Sequence, residues 1–108
     1  MVVTKVLRFN RDQVIKIFEA SHGLEAVTQC QEHDFDLVFM DLRMPRMDGF
    51  EATREIRKNG GDMPIVVITS EKRDSIETMA FEAGVNDIYE KPVSRNMIDD
   101  ILKKYGIT

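Results

Sequence analysis

Residues 36–41 read DLVFMD and residues 64–69 read PIVVIT. Both runs are apolar almost throughout instead of alternating, as strands covered on two faces should be. Between and around them lie stretches with helical periodicity. Ser94 is placed to cap a helix that carries Ile98, Ile101, Leu102 and Tyr105 on one stripe and ends at Gly106. Asp48 opens a stretch with Phe50, Thr53 and Ile56 facing inward, closed by Gly60 and Gly61. Asp74 followed by Glu77 has the spacing of a capping box, and Gly84 suits the left-handed residue that stops a helix. Residues 21–33 predict a fourth helix with Leu24, Val27 and Cys30 toward a core. Residues 14–20 (VIKIFEA) and 86–91 (NDIYEK) are more polar strand candidates. From residue 14 onward the pattern is β-α-β-α-β-α-β-α, the alternation of an α/β fold with a parallel sheet.

The start of the chain does not fit that alternation. A strand–helix–strand unit takes about 30 residues, more than precede Ser21. Residues 2–10 (VVTKVLRFN) can be the end of a helix, with Val3, Val6, Leu7 and Asn10 on one side. They can equally be one strand of a hairpin that turns into residues 14–20. The sequence leaves both open.

Composition narrows the class. The 108 residues suit one domain spanning residues 1–108. Nineteen acidic against fifteen basic side chains give a net charge of −4, which argues against a nucleic-acid module. A single cysteine forms no internal disulfide and suits a reducing, cytoplasmic setting. No apolar run approaches the ~20 residues of a membrane span, and no secretory signal is visible. His22 and His33 lack spaced Cys or His partners and read as surface residues, not metal ligands. Cys30, Met40, Met79 and Met97 read as packing residues.

Three residues stand where the predicted strands end: Asp41, Thr69 and Lys91. In an open α/β sheet the ligand crevice lies outside those ends, so the three can converge. A carboxylate can attack phosphorus, an ammonium can balance a phosphoryl group, and a hydroxyl can donate to its oxygens. A divalent metal held by oxygen ligands would complete the charge balance. An alternative for Lys91 is a structural ion pair with Asp41. Arg43, Arg46 and Arg54 form a basic group nearby that can steer an anionic partner, or simply be solvated.

The segments MDLRMPRMDGFEATREIR (residues 40–57), PIVVITS (64–70), FEAGVNDIYEKPVS (81–94) and ASHGLEAV (20–27) together resemble a two-component response-regulator receiver domain. The resemblance covers roughly residues 14–106. It implies a flavodoxin-like (CheY-like), three-layer, doubly wound α/β fold with strand order 2-1-3-4-5. It implies that Asp41 is the phosphoacceptor, Lys91 the family's lysine, Pro92 its cis-proline and Thr69 its switch hydroxyl. The backbone carbonyl of Arg43 matches a metal-ligand position, with Mg²⁺ as the expected cofactor. The implied function is a phosphorelay receiver taking a phosphoryl group from a histidine kinase or histidine-phosphotransfer protein. Such a domain is a signalling module and not an enzyme, self-catalysing its phosphorylation and dephosphorylation at most. Partner binding would change around residues 74–84 and the strand ending at Lys91.

Two departures qualify the resemblance. Family members open with a strand ending in paired acidic residues that hold Mg²⁺ with the phosphoacceptor. Asp12 and Glu19 are the only acids before Ser21, and neither matches. The chain thus reads as truncated at its start and without an output domain, its VTKVLRFN resembling the end of the family's first helix. Mg²⁺ binding should then be weakened or lost. The missing strand would leave two buried strand edges unpaired, so a hairpin, a swapped segment or self-association through a sheet edge should repair the gap. Second, the family's aromatic position three before the lysine holds Ile88, with Tyr89 one place on. Neighbouring strand residues face opposite ways, so Tyr89 does not substitute. The alternative function is a phosphorylation-deficient pseudo-receiver, an interaction module that is domain-swapped or self-associated.

Overall fold

Two residues of sequence separate the first two strands, and that short link decides the N-terminal topology. In the computed structural model, which describes residues 2–9, 12–43 and 47–107, strand β1 (Val2–Phe9) and strand β2 (Asp12–Glu19) pair antiparallel from Val2↔Glu19 to Phe9↔Asp12. A parallel pairing needs a crossover of a dozen or more residues, for which no chain is left. Residues 2–9 are therefore a hairpin strand, and the helix reading of that segment is overturned.

The remaining elements follow in alternation: α1 (Gly23–Glu32), β3 (Leu37–Asp41), α2 (Gly49–Lys58), β4 (Ile65–Thr69), α3 (Arg73–Ala83), β5 (Asp87–Glu90) and α4 (Arg95–Lys104). The five-stranded sheet has the order β2-β1-β3-β4-β5. β3, β4 and β5 are parallel, with Met40↔Val67 and Ile68↔Tyr89 among their partners. β1 lies antiparallel on β3 through Val2↔Phe39, Val3↔Val38 and Thr4↔Leu37. Since β1 opposes both neighbours, β2 runs parallel to β3. The order 2-1-3-4-5 is thus reached with its second-placed strand reversed. The expectation of a wholly parallel sheet fails at that strand alone, and the rearranged N-terminus takes the hairpin form.

Alternation along the strands sorts the core into two layers. Val38, Met40, Ile65, Val67 and Ile88 face a cluster with Ile56 and Ala52 of α2 and Ile76, Ala80 and Ala83 of α3, onto which Val27 and Cys30 of α1 pack. Leu37 and Val66 face the opposite way, against Ile101 of α4 and Ile107, with Phe39, Tyr89, Ile98, Leu102 and Tyr105 around them. Burial on both faces is why the strands read as continuous apolar runs.

The helix ends follow local chemistry. Asp48 Oδ1 accepts from Glu51 N–H at 2.9 Å and Ser94 Oγ from Met97 N–H at 3.2 Å, as capping residues should. Gly84 ends α3 at φ 107°, in the left-handed region that favours glycine. The Asp74–Glu77 capping box does not form. α3 begins two residues earlier than that box requires, Lys72 caps without a side-chain bond, and Glu77 pairs with Arg73 Nε at 3.1 Å. At α1, His22 is the N-cap: its Nδ1 accepts from Glu25 N–H at 3.2 Å. That is a structural role the sequence did not suggest.

Leu24 and Met79 are exposed, not core residues, at 45% and 55%. α1 buries Gly23 and Ala26 and packs Val27 and Cys30, a stripe that Leu24 misses by one position. Met79 lies beside the Ile76–Ala80–Ala83 stripe of α3. Small residues suit α1 because it lies close on the chain leading to α2. A Cβ on Gly23 would stand 2.4 Å from Met47 O. Burial pushes the half-buried Cys30 thiol up to about 11, despite the opposing charge of Arg57.

Candidate functional site

The parallel register brings three strand ends level. Asp41 is the last residue of β3, Thr69 the last of β4, and Lys91 follows the end of β5. Lys91 N–H donates to Thr69 O at 2.7 Å, extending the β4–β5 ladder by one bond. The Lys91–Pro92 peptide is cis, at the position the resemblance marked. Lys91 Nζ stands 3.3 Å from Asp41 Oδ2. Their side chains keep 44% and 39% of their accessible surface, so the carboxylate is paired yet reachable from solvent.

The two loops above the strand ends hold the reactive groups through their backbones. Arg43 N–H donates to Asp41 Oδ1 at 3.4 Å, and Glu71 N–H donates to Thr69 Oγ1 at 3.1 Å. The Arg43 guanidinium is bonded to the Glu71 carboxylate, which bridges the two loops. Thr69 is buried, at 2% exposure. The structure thus joins Asp41 and Lys91 directly, and Thr69 to them through the strand ladder. The Thr69 hydroxyl oxygen accepts from Glu71 N–H.

Gly49 belongs to this site, and the sequence reading took it only as part of a motif. Its N–H donates to Leu42 O at 3.0 Å, and a Cβ there would lie 2.7 Å from Asp41 O. The signal was the glycine following the Asp48 cap in the segment after Asp41. Arg54 is exposed on α2, while Arg46 lies outside the described residues.

Among the described residues, oxygen donors for a divalent ion are few. Asp48 is occupied in capping α2, and Glu71 is paired with Arg43. The β1 residues in register with Leu37, Val38 and Phe39 are Thr4, Val3 and Val2, none of them acidic. Among the described residues no three His, Cys, Asp or Glu side chains converge on a metal position. The described side chains fit a strong Mg²⁺ site poorly.

The switch aromatic is also displaced. Ile88 is buried in the layer facing α2 and α3, whereas Tyr89 lies in the α4 layer. Tyr89 OH donates to Asp87 Oδ2 at 3.4 Å, as does Tyr105 OH, and Lys104 Nζ reaches the same oxygen at 2.6 Å. Arg73 Nη1 lies 3.9 Å from Asp87 Oδ1. This buried carboxylate ties α3, β5 and α4 together at the edge of the sheet.

Burial alone would raise the Asp87 carboxyl. The bond from Lys104, the Ile88 N–H and the lysine charge outweigh it and hold it below the ordinary range. A depressed folded-state value stabilises the fold above the unfolded carboxylate value of about 3.9, and that contribution is lost as pH falls through the folded value. Urea unfolding of wild type and Asp87→Asn should therefore show a gap at pH 7 that narrows toward pH 3. A gap independent of pH would contradict the assignment.

The matching family model is the response regulator receiver domain, which aligns with residues 1–103. The chain belongs to that family. The receiver is 32% identical over 104 residues to chemotaxis protein CheY of Bacillus subtilis, covering 96% of this chain and 85% of that protein. It is 29% identical over 110 residues to hybrid signal transduction histidine kinase L of Dictyostelium discoideum, covering 97% of this chain but spanning only 6% of the kinase. Among solved structures it resembles the receiver domain of a sensor histidine kinase from Pseudomonas aeruginosa PAO1, with a TM-score of 0.72 and 32% identity over 80% of this chain and 72% of that one. That crystal structure holds a magnesium ion in its active-site cleft. The receiver therefore has the flavodoxin-like, CheY-like fold. Among its described residues no helix is long and apolar enough to cross a membrane.

Proposed function

We propose that this receiver accepts a phosphoryl group from a phosphohistidine onto Asp41 and changes its affinity for a partner in response. The observation that carries the reading is the exposed Asp41 carboxylate with Lys91 Nζ 3.3 Å away at the strand ends. An Asp41 oxygen forms the new bond to phosphorus as the phosphorus–nitrogen bond breaks. The imidazole leaves neutral when its other ring nitrogen carries a proton. Lys91 offsets the charge of the transferred group, and the Thr69 hydroxyl donates to its oxygens once it turns from Glu71.

The donor is a histidine kinase or a histidine-phosphotransfer protein, and the setting is the cytoplasm. Mg²⁺, which would neutralise phosphoryl oxygens when bound, is held weakly here because the neighbouring carboxylates Asp48 and Glu71 are committed to a helix cap and to Arg43. The output face is α3 with β5. Because Tyr89 faces α4, the response runs through the Thr69–Glu71 bond and the start of α3 and not through an aromatic side chain beside Thr69. Self-association through a sheet edge would use the outer strand β2, since β1 fills the gap between β2 and β3 within one chain.

The test is intact-mass measurement after incubation with a phosphorylated histidine-phosphotransfer protein. A phosphoryl increment in wild type that disappears in Asp41→Asn is expected. An increment that survives the substitution, or none in a folded wild type, overturns the reading in favour of the non-phosphorylated interaction module.

A further inference from the structure

We propose that Arg43 supplies the counter-charge a divalent cation would otherwise bring, so that the Asp41 pocket binds and transfers a phosphoryl group without metal. The inference rests on Asp41 being the phosphoacceptor. It starts from the poor donor set for Mg²⁺ among the described residues and from two basic residues that flank Asp41, one by its ammonium and one by its backbone. Arg43 is two residues beyond Asp41, its N–H bonds the Asp41 carboxylate, and Lys91 Nζ stands on the other carboxylate oxygen.

The guanidinium rests on Glu71, a pairing whose Arg43 side chain is 76% exposed. An ion pair this open contributes little and exchanges readily. A planar guanidinium matches two oxygens of a phosphoryl group better than an ammonium does, and a doubly charged group competes well against one carboxylate. With Glu71 in place, the four side chains Asp41, Lys91, Arg43 and Glu71 sum to zero charge. Turning Arg43 from Glu71 to an incoming anion sets two cations against the phosphoryl oxygens at the strand ends.

With acetyl phosphate as donor the step balances without a metal or a proton. An Asp41 carboxylate oxygen forms the new oxygen–phosphorus bond. The bond from phosphorus to the donor's bridging oxygen breaks, and its electron pair leaves with acetate.

The experiment follows phosphoryl incorporation from acetyl phosphate by intact mass, in EDTA and in Mg²⁺. Wild type in EDTA should react within about threefold of its rate in Mg²⁺. Arg43→Ala should slow the EDTA reaction by about tenfold or more, whereas Glu71→Gln should accelerate it several-fold, to about threefold or above. A wild type that reacts only with Mg²⁺, or an Arg43→Ala protein that matches it in EDTA, overturns the inference.

If Asp41 is not phosphorylated under either condition, the phosphoacceptor reading has failed and the anion site is judged separately. Inorganic phosphate is then titrated into the metal-free protein while amide NMR shifts are followed. Shifts centred on residues 41–43 and 69–71, weakened about fivefold or more in Arg43→Ala, support the anion site. Absent shifts, or shifts indifferent to Arg43, overturn it.

Discussion

Replacing Arg57 by alanine should destabilise the domain by about 3 kcal/mol and lower its thermal midpoint by roughly 15 °C. Arg57 Nε and Nη2 donate to Gly84 O at 3.0 and 2.9 Å, Nη1 to Gly61 O at 3.0 Å and Met63 O at 2.7 Å, and Nη2 to Asn86 Oδ1 at 2.8 Å. Asn86 Oδ1 in turn accepts from Ile65 N–H at 2.8 Å, the first residue of β4. One guanidinium thus joins the end of α2 to the chain entering β4 and the chain entering β5. Truncation leaves several carbonyls without their donor, each costing about 1–3 kcal/mol where water does not replace it. Arg57→Lys should recover less than half, since an ammonium lacks the planar fork. Urea and thermal unfolding measure both variants. A loss below about 1 kcal/mol for alanine would mean that water takes over the carbonyls.

The second large effect is on the site itself. Gly49→Ala should slow phosphorylation of Asp41 by about 10- to 100-fold, because small misplacements of reacting groups are costly. A Cβ at Gly49 would stand 2.7 Å from Asp41 O and 3.1 Å from both Leu42 Cα and Met40 Cγ. The closest of these is backbone, which does not rotate aside. The end of β3 must move, or the start of α2 must lift and lose the Gly49 N–H bond to Leu42 O. Gly60→Ala is the control. Gly60 has φ 91° with nothing within 4 Å of its would-be Cβ, so alanine there meets only backbone strain. It should cost about 1 kcal/mol of stability and leave the phosphorylation rate unchanged. Equal rates for wild type and Gly49→Ala would show that the β3–α2 contact does not position Asp41.

Where the sequence reading succeeded, the determinants were local. Asp48 and Ser94 cap the helices assigned to them, because a short polar side chain before an apolar stripe has few other uses. Gly84 stops α3 for a similarly local reason. The strands DLVFMD and PIVVIT were legible because two-sided burial leaves no room for polar alternation. Misreadings fell where two patterns compete over one or two residues. Asp74 and Glu77 have capping-box spacing, yet Arg73 takes Glu77 and the helix starts two residues sooner. Leu24 looked like a core residue until the small residues Gly23 and Ala26 proved to be the inward side.

The candidate site divides the same way. Asp41, Thr69 and Lys91 could be named from strand ends, because parallel strands deliver their C-terminal residues to one edge of a sheet. The Arg43–Glu71 bridge, the Gly49 contact and the Arg57 junction had no sequence signature, since each joins segments whose approach depends on packing.

By itself the sequence determined the order of strands and helices from residue 14 onward, the two-sided burial of β3 and β4, and the residues that line the strand ends. Periodicity and capping act within a few residues, so the chain carries that information locally. Only the tertiary structure decided between hairpin and helix at residues 2–9. An amphipathic stretch of that length satisfies its backbone either way until β3 offers an open edge to pair with. That pairing places Val2, Val3 and Thr4 beside β3, while the ion pair shown for Asp41 is with Lys91.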